Sequence, residues 1–257
     1  MRIRPDVELA NSSDAGSVRT ENEDYFLYCE PDDDEEFARR GRLMILTDGM
    51  GGHNGGAEAS RLAAEILRDA FLRGDAPEPR AVLIEGFQRA HAAIRSHAAE
   101  NDELRGMGTT CCAVILRHGK LYLGHVGDSR IYLLRDGVAN QLTEDHTLVA
   151  RMMREGLLTP EQASQHEQRN VLTQALGMDS DTVSADFPPD PIEVVPGDIV
   201  LMCSDGLHGM VNAREIALTA AGQPLRDACQ ELVALANARG GPDNITVQML
   251  GIRQVES

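Results

Sequence analysis

The sequence predicts an α+β fold in which two antiparallel sheets face each other and helices cover their outer sides. Short apolar runs separated by tight turns, His118-Gly119 and Asp136-Gly137 among them, make consecutive strands pair as hairpins. Helical spacings come in pairs between the strand groups, which favours segregated layers over a doubly wound parallel sheet. The 257 residues are 42% hydrophobic, only 4% aromatic and without Trp, so one domain (1–257) is expected to pack around an aliphatic core.

Val7 to Ser12 and Tyr25 to Glu30 read as strands around a Gly16 turn, and the acidic run Asp32 to Glu36 reads as a solvated loop. Its spacing lacks the glycine and ligand order of a calcium loop. Arg42 to Thr47 is a buried strand that delivers Asp48. Leu62, Ala63, Ile66, Ala70 and Phe71 recur at helical spacing within 57–72, as do Val82, Leu83, Phe87, Ala90 and Ile94 within 79–100. Four strands follow, at 109–116, 120–126, 130–135 and 138–142. Segments 146–155 and 160–168 read as helices, with Asp145 as a cap and Met152-Met153 as core. A strand at 199–203 delivers Asp205. Helices at 213–221 and 224–239 and a strand at 244–252 complete the chain.

Lys plus Arg number 24 against 41 Asp plus Glu, a formal charge of −17, which argues against a nucleic-acid partner. An anionic substrate stays open, because bound cations reverse the field inside a single cleft. The five cysteines are odd in number and form no C-x-x-C, so they read as free thiols of a reducing compartment. The first residues carry charges rather than the apolar core of a signal peptide, and no stretch reaches the length of a membrane span. A soluble, cytoplasmic protein is expected, with no membrane partner and a monomer as the default.

Five aspartates stand in short marked contexts: Asp24 in R-T-E-N-E-D, Asp48 in D-G-M-G-G-H, Asp128 in G-D-S-R, Asp205 in S-D-G-L and Asp243 in P-D-N-I-T. Asp14, in D-A-G, reads as structural. Most lie at strand ends, where a stiff strand holds an exposed side chain in place. Packed together they repel, so the site must hold something strongly positive, and hard divalent cations suit an all-oxygen set. Two ions about 3.5–4 Å apart, bridged by a carboxylate and by water, fit in-line displacement at phosphorus. Arg19, five residues before Asp24, offers a fork for two phosphate oxygens; a solvated or salt-bridging arginine is the plainer alternative.

R-T-E-N-E-D, L-T-D-G-M-G-G-H, G-M-G-T-T, G-H-V-G-D-S-R-I-Y-L-L-R-D-G, T-E-D-H-T, R-N-V-L-T-Q-A-L-G, C-S-D-G-L and G-G-P-D-N-I-T-V follow one another in that order. From Asn11 to Val247 the chain resembles the bacterial metal-dependent protein phosphatases of the protein phosphatase 2C (PPM) type. Each motif alone is weak; the ordered set is specific. The resemblance implies a four-layer α-β-β-α sandwich, hydrolysis of phosphoserine and phosphothreonine in proteins, and two Mn²⁺ or Mg²⁺ ions with a third, weaker one. It implies that Asp48 bridges both metals, that Asp24 and the Gly49 carbonyl serve one with Glu23 acting through water, and that Asp205 and Asp243 serve the other. Asp128 and Asp205 match the third-ion positions, and Arg19 the phosphate-binding arginine. A flap over about 150–170 is expected beside the site. Partners implied are phosphorylated proteins, including a Ser/Thr kinase and its substrates.

Met50 stands where many eukaryotic members carry the histidine proposed as general acid. His53, three residues on, is not its equivalent and reads as a helix-entry residue. Asn244 is expected to orient Asp243 or a turn. Cys111 and Cys112 are expected to face opposite sides of one strand. Two other classes remain: an inactive relative used as a binding module, disfavoured because every core carboxylate and Arg19 are present, and a different two-metal hydrolase such as a nuclease, disfavoured by the acidic charge.

Overall fold

A computed structural model describes residues 3–51 and 55–254. In chain order the elements are β1 (Val7–Asp14), β2 (Asp24–Cys29), α1 (Asp34–Arg40), β3 (Arg42–Met50), α2 (Gly55–Arg73), α3 (Pro79–Glu100), β4 (Gly108–Thr109), β5 (Cys111–Arg117), β6 (Lys120–Val126), β7 (Arg130–Arg135), β8 (Val138–Gln141), α4 (Leu148–Arg154), α5 (Pro160–Ser164), β9 (Ile192–Glu193), β10 (Ile199–Cys203), α6 (Asp205–His208), α7 (Ala213–Ala220), α8 (Leu225–Ala238) and β11 (Ile245–Ile252). One sheet runs β1-β11-β10-β7-β8; the other runs β2-β3-β5-β6-β9, with β4 beside β3. The pairings between these strands are antiparallel.

The alternation of side chains along each strand builds three apolar layers. On β3, Met44 and Leu46 point between the sheets, where they meet Cys112, Val114, Ile131, Leu133, Val200 and Met202. Their neighbours Leu43 and Ile45 point outward, under α2 and α3, with Leu67, Phe71, Leu83 and Phe87. On the other sheet Tyr132, Leu134, Leu201 and Cys203 pack under α7 and α8 against Ile216, Leu232 and Ala236. Helices outside and two sheets inside make the four-layer α-β-β-α sandwich expected. Cys111 and Cys112 fall in different layers, and all five cysteines are free.

Turn chemistry fixes the hairpin registers. His118-Gly119 and Asp136-Gly137 all have positive φ, at 52° and 70° and at 52° and 76°, the signature of the tight turns that match strand twist. Asp14 is structural as expected: its Oδ1 accepts from the Gly16 amide and from Asn237 Nδ2.

Four local readings need correction. The acidic run is not all loop: Asp33 accepts from the Glu35 and Glu36 amides and starts α1, whose first-turn acids suit the positive end of a helix. Asp145 does not cap α4; Thr147 does, accepting from the Ala150 amide, while Asp145 takes both oxygens to Arg130 at 2.8 and 2.7 Å. Met152 is half-buried and Met153 exposed, because α4 buries only Val149 and Ala150. The segment after Pro160 stops being helical at Ser164, since α5 has a capping box at Thr159 and Gln162 but buries only Ala163. The short elements β9 and α6 carry too few residues to show a period.

Leu46 is fully buried between the sheets, two residues before Asp48. Leu46→Ala should lower the unfolding free energy by about 2–5 kcal/mol; a urea titration giving less than about 1 kcal/mol would contradict this account of the inter-sheet layer.

Candidate active site

The acidic residues meet at one end of the seam between the sheets. Antiparallel pairing puts Asp24, the first residue of β2, directly opposite Asp48 near the end of β3. β10 ends at Cys203 and passes through Ser204 into α6, which begins at Asp205. Asp128 sits in the β6–β7 turn, and Asp243 precedes β11. Arg19, Glu23, Asp48, Gly49, Met50, Gly51, Asp128, Asp205 and Asp243 line a single cleft of about 370 Å³, with Thr110, Asn170, Leu172 and Met178 completing its wall.

A hydrogen-bonded frame holds these residues. The Asp48 amide donates to Thr110 Oγ1 at 3.0 Å, and the Asp48 carbonyl accepts from the Thr110 amide and the Thr109 hydroxyl. Thr110 Oγ1 also lies 2.7 Å from Ser129 Oγ. The Gly49 amide donates to the Glu23 carbonyl at 3.2 Å. Any side chain on Gly49 would run into the Gly56 carbonyl oxygen and the Glu23 carbonyl, so only glycine fits here. Asn244 does orient its neighbours: its amide donates to Asp243 Oδ1, its Oδ1 accepts from the Glu23 amide, and its Nδ2 donates to the carbonyls of Ala15 and Glu21.

Glu23 lines the cleft, and the buried Asp24 carboxyl lies against that of Asp48. Asp24 Oδ2 accepts from the Ser204 hydroxyl at 2.8 Å. Its Oδ1 is buried and, among the described residues, has no hydrogen-bond partner. Arg19 reaches the rim, where Nη2 donates to Asp243 Oδ2 at 2.9 Å. Met50 lines the cleft where an imidazole was the alternative, and His53 lies outside the described residues. Sequence reasoning passed over the supporting hydroxyls of Thr110, Ser129 and Ser204; all three lie inside the quoted motifs, but a hydroxyl's role depends on what folding sets beside it.

Burial first, then repulsion from Asp24 and Asp205, pushes the Asp48 carboxyl well above the ordinary carboxylate range. Burial likewise raises Asp24 to about 6, Asp128 to about 7, with Asp145 adding to it, and Asp205 to about 8, with Asp128 adding to it. An all-carboxylate cleft whose members resist ionising together, with an unpartnered oxygen on Asp24, fits hard divalent cations. The buried thiols are no rival: burial lifts Cys203 and Cys229 to about 12.

Outside the cleft, His125, His146 and Asp186 each bring a ligand atom within 4.8 Å of the others, a set able to hold a divalent ion. Two of its atoms already bond each other, His146 Nε2 to Asp186 Oδ2 at 3.1 Å. His146 Nδ1 accepts from the Gly127 amide at 3.2 Å, so its proton sits on Nε2.

The sequence profile of the family described as "Protein phosphatase 2C" matches residues 18–246. The chain belongs to the protein phosphatase 2C family. Protein phosphatase PhpP of Streptococcus pneumoniae is 35% identical over 256 residues, covering 98% of this chain and 100% of the relative. The solved serine/threonine phosphatase of S. agalactiae superposes with a TM-score of 0.87 at 34% identity, over 96% of this chain and 100% of that one. The catalytic domain of the serine/threonine protein phosphatase PstP in complex with two manganese ions superposes with a TM-score of 0.81 at 32% identity, over 96% and 99%. This chain is an enzyme, a metal-dependent protein-serine/threonine phosphatase. No helix among the described residues is long and apolar enough to cross a membrane.

The raised carboxyls give the metal-free protein a defined pH response. Their folded values, from about 6 to about 8 for Asp24, Asp128 and Asp205, exceed the unfolded value of about 4. The folded chain therefore holds more protons than the unfolded chain in that window, and stability falls as pH rises through it. With chelator present, Tm should be lower at about pH 8.5 than at about pH 5.5, and saturating Mn²⁺ should remove most of the difference. A chelated Tm that climbs with pH would contradict this description of the cleft.

Proposed function

We propose that the cleft binds two Mn²⁺ or Mg²⁺ ions, with a third held more weakly, and that Asp48 is the ligand the two core ions share. The observation that supports this reading most is the burial of the Asp48 carboxyl among Asp24, Asp205, Asp128 and Asp243. In this assignment Asp48, Asp24 and the Gly49 carbonyl would hold one core ion, with Glu23 acting through water. Asp24 is fixed by the Ser204 hydroxyl, which donates to its Oδ2. Asp48, Asp205 and Asp243 hold the other core ion; Asp128 and Asp205 hold the weaker one. When bound, the ions neutralise the carboxylates, draw the phosphate in and ready a water for in-line attack at phosphorus.

The chain's own residues supply the rest. Arg19 stands at the rim with its guanidinium fork toward the incoming phosphate and tethers itself to Asp243. The Thr110–Ser129 pair keeps the β3 end and the Asp128 turn in fixed relation. Met50 has no proton to give, so the leaving alkoxide is not protonated by a side chain at that position. The segment 150–170 acts as a flap: Asn170, its last residue, and Leu172, just beyond it, line the cleft. Opposition to a Ser/Thr kinase and its substrates, a cytoplasmic setting and a monomeric state complete the reading.

Mn²⁺ should support hydrolysis of phosphothreonine peptides, with activity lost to chelator and restored by the ion; chelator-resistant turnover would sink the metal assignment. Asp48→Ala and Asp205→Ala should each reduce kcat by roughly 100-fold or more, the scale of losing metal charge stabilisation. Near-normal rates in either would refute its placement. Arg19→Ala should act chiefly on KM; an unchanged KM would remove Arg19 from phosphate binding.

A further inference from the structure

The turn that carries Asp128 is held by three histidines from three separate parts of the chain, each on a successive residue. His146, just before α4, accepts from the Gly127 amide at 3.2 Å with Nδ1, and its own amide donates back to the Gly127 carbonyl at 2.8 Å. His208, the last residue of α6, bonds the Asp128 carbonyl through Nε2 at 2.8 Å. His125, on β6, bonds the Ser129 carbonyl through Nε2 at 3.0 Å. A carbonyl only accepts, so His125 and His208 each carry their proton on Nε2. Burial pulls both imidazoles down to about 4, which leaves them neutral single donors near neutral pH.

His208 differs from the other two in what it joins. It lies on the same helical turn as Asp205, three residues on, with the buried Leu207 between them anchoring that turn in the core. Its bond therefore ties the backbone of one cleft aspartate to the element that bears another, across 80 residues of sequence. We propose that His208 is a positioning residue: by donating Nε2–H to the Asp128 carbonyl it sets the Asp128 turn against the Asp205 turn, so that both carboxylates face the cleft in the register a divalent ion requires. The proposal rests on the assignment of Asp128 and Asp205 to the weaker ion. His125 and His146 steady the flanks of the same turn, and Ser129 connects it through Thr110 to the Asp48 amide.

The test compares His208→Gln, which keeps a donor at the reach of Nε2, with His208→Asn and His208→Met, which do not. Mn²⁺ binding is measured by calorimetry and by the spin-resonance signal of free Mn²⁺, with thermal melting to establish folding. His208→Asn and His208→Met should retain the two tighter ions and weaken the third by ~10-fold or more, the usual effect of losing a group that orients a ligand. His208→Gln should restore most of it. Folded Asn and Met variants with an unaltered third ion, or with all ions weakened alike, would overturn the proposal. Asp128→Ala separates the two levels: if it keeps the third ion, the assignment of Asp128 fails and this proposal with it. If it loses that ion while His208→Asn does not, the proposal alone fails. In the unaltered protein the His208 Nε2–H proton resonance should move in the weak-binding range of a Mg²⁺ titration, and a resonance silent there overturns the proposal even where no His208 variant folds.

Discussion

Confinement of like charges at the seam between two sheets is the constraint around which this protein is built. Asp48 has Asp24 opposite it in the strand register and shares the cleft with Asp128, Asp205 and Asp243. In water such a set would spread apart. Here the fold holds the acids together, and burial first, then mutual repulsion, raises the proton affinity of Asp48 and Asp205. A site that favours protons in this way favours multiply charged cations more strongly, and metal dependence follows from the fold's refusal to let the acids separate.

The scaffold accordingly places its rigidity near the acids. The fully buried layer between the sheets includes Met44, Leu46, Val200 and Met202, on the two strands that lead to Asp48 and Ser204. Beyond those strand ends the polar frame takes over: Thr110 and Ser129 join β3 to the Asp128 turn, Ser204 holds Asp24, and Asn244 bonds both Asp243 and the backbone before Asp24. Buried polar networks of this type are favourable only when their members are satisfied. The buried Asp24 oxygen that has no hydrogen-bond partner among the described residues is at the site itself. At the rim Arg19 introduces the one positive group among the cleft's named side chains and is bound to Asp243.

Much of this was legible along the chain. The strands at 42–50, 120–126, 130–135 and 199–203 and the helices at 55–73 and 79–100 carry periods long enough to read, and D-G and H-G pairs located the hairpins. The ordered motifs marked the carboxylates. What misled were short or half-exposed segments. Met152 and Met153 have core composition but sit on a helix whose buried patch is two residues wide. Asp145 has capping chemistry, but Arg130 at 2.8 and 2.7 Å offers it a stronger partner.

The sequence by itself determined the layer pattern, the aliphatic core, the turn positions and the identity of the acids, because periodicity and turn chemistry are local and the motifs are contiguous. Only the tertiary structure decided that Ser204 holds Asp24, that Arg19 is paired with Asp243, and that three histidines from separate elements grip the Asp128 turn. Those are contacts between residues up to 224 positions apart. Their geometry is set by how two twisted sheets stack, and no local pattern encodes that.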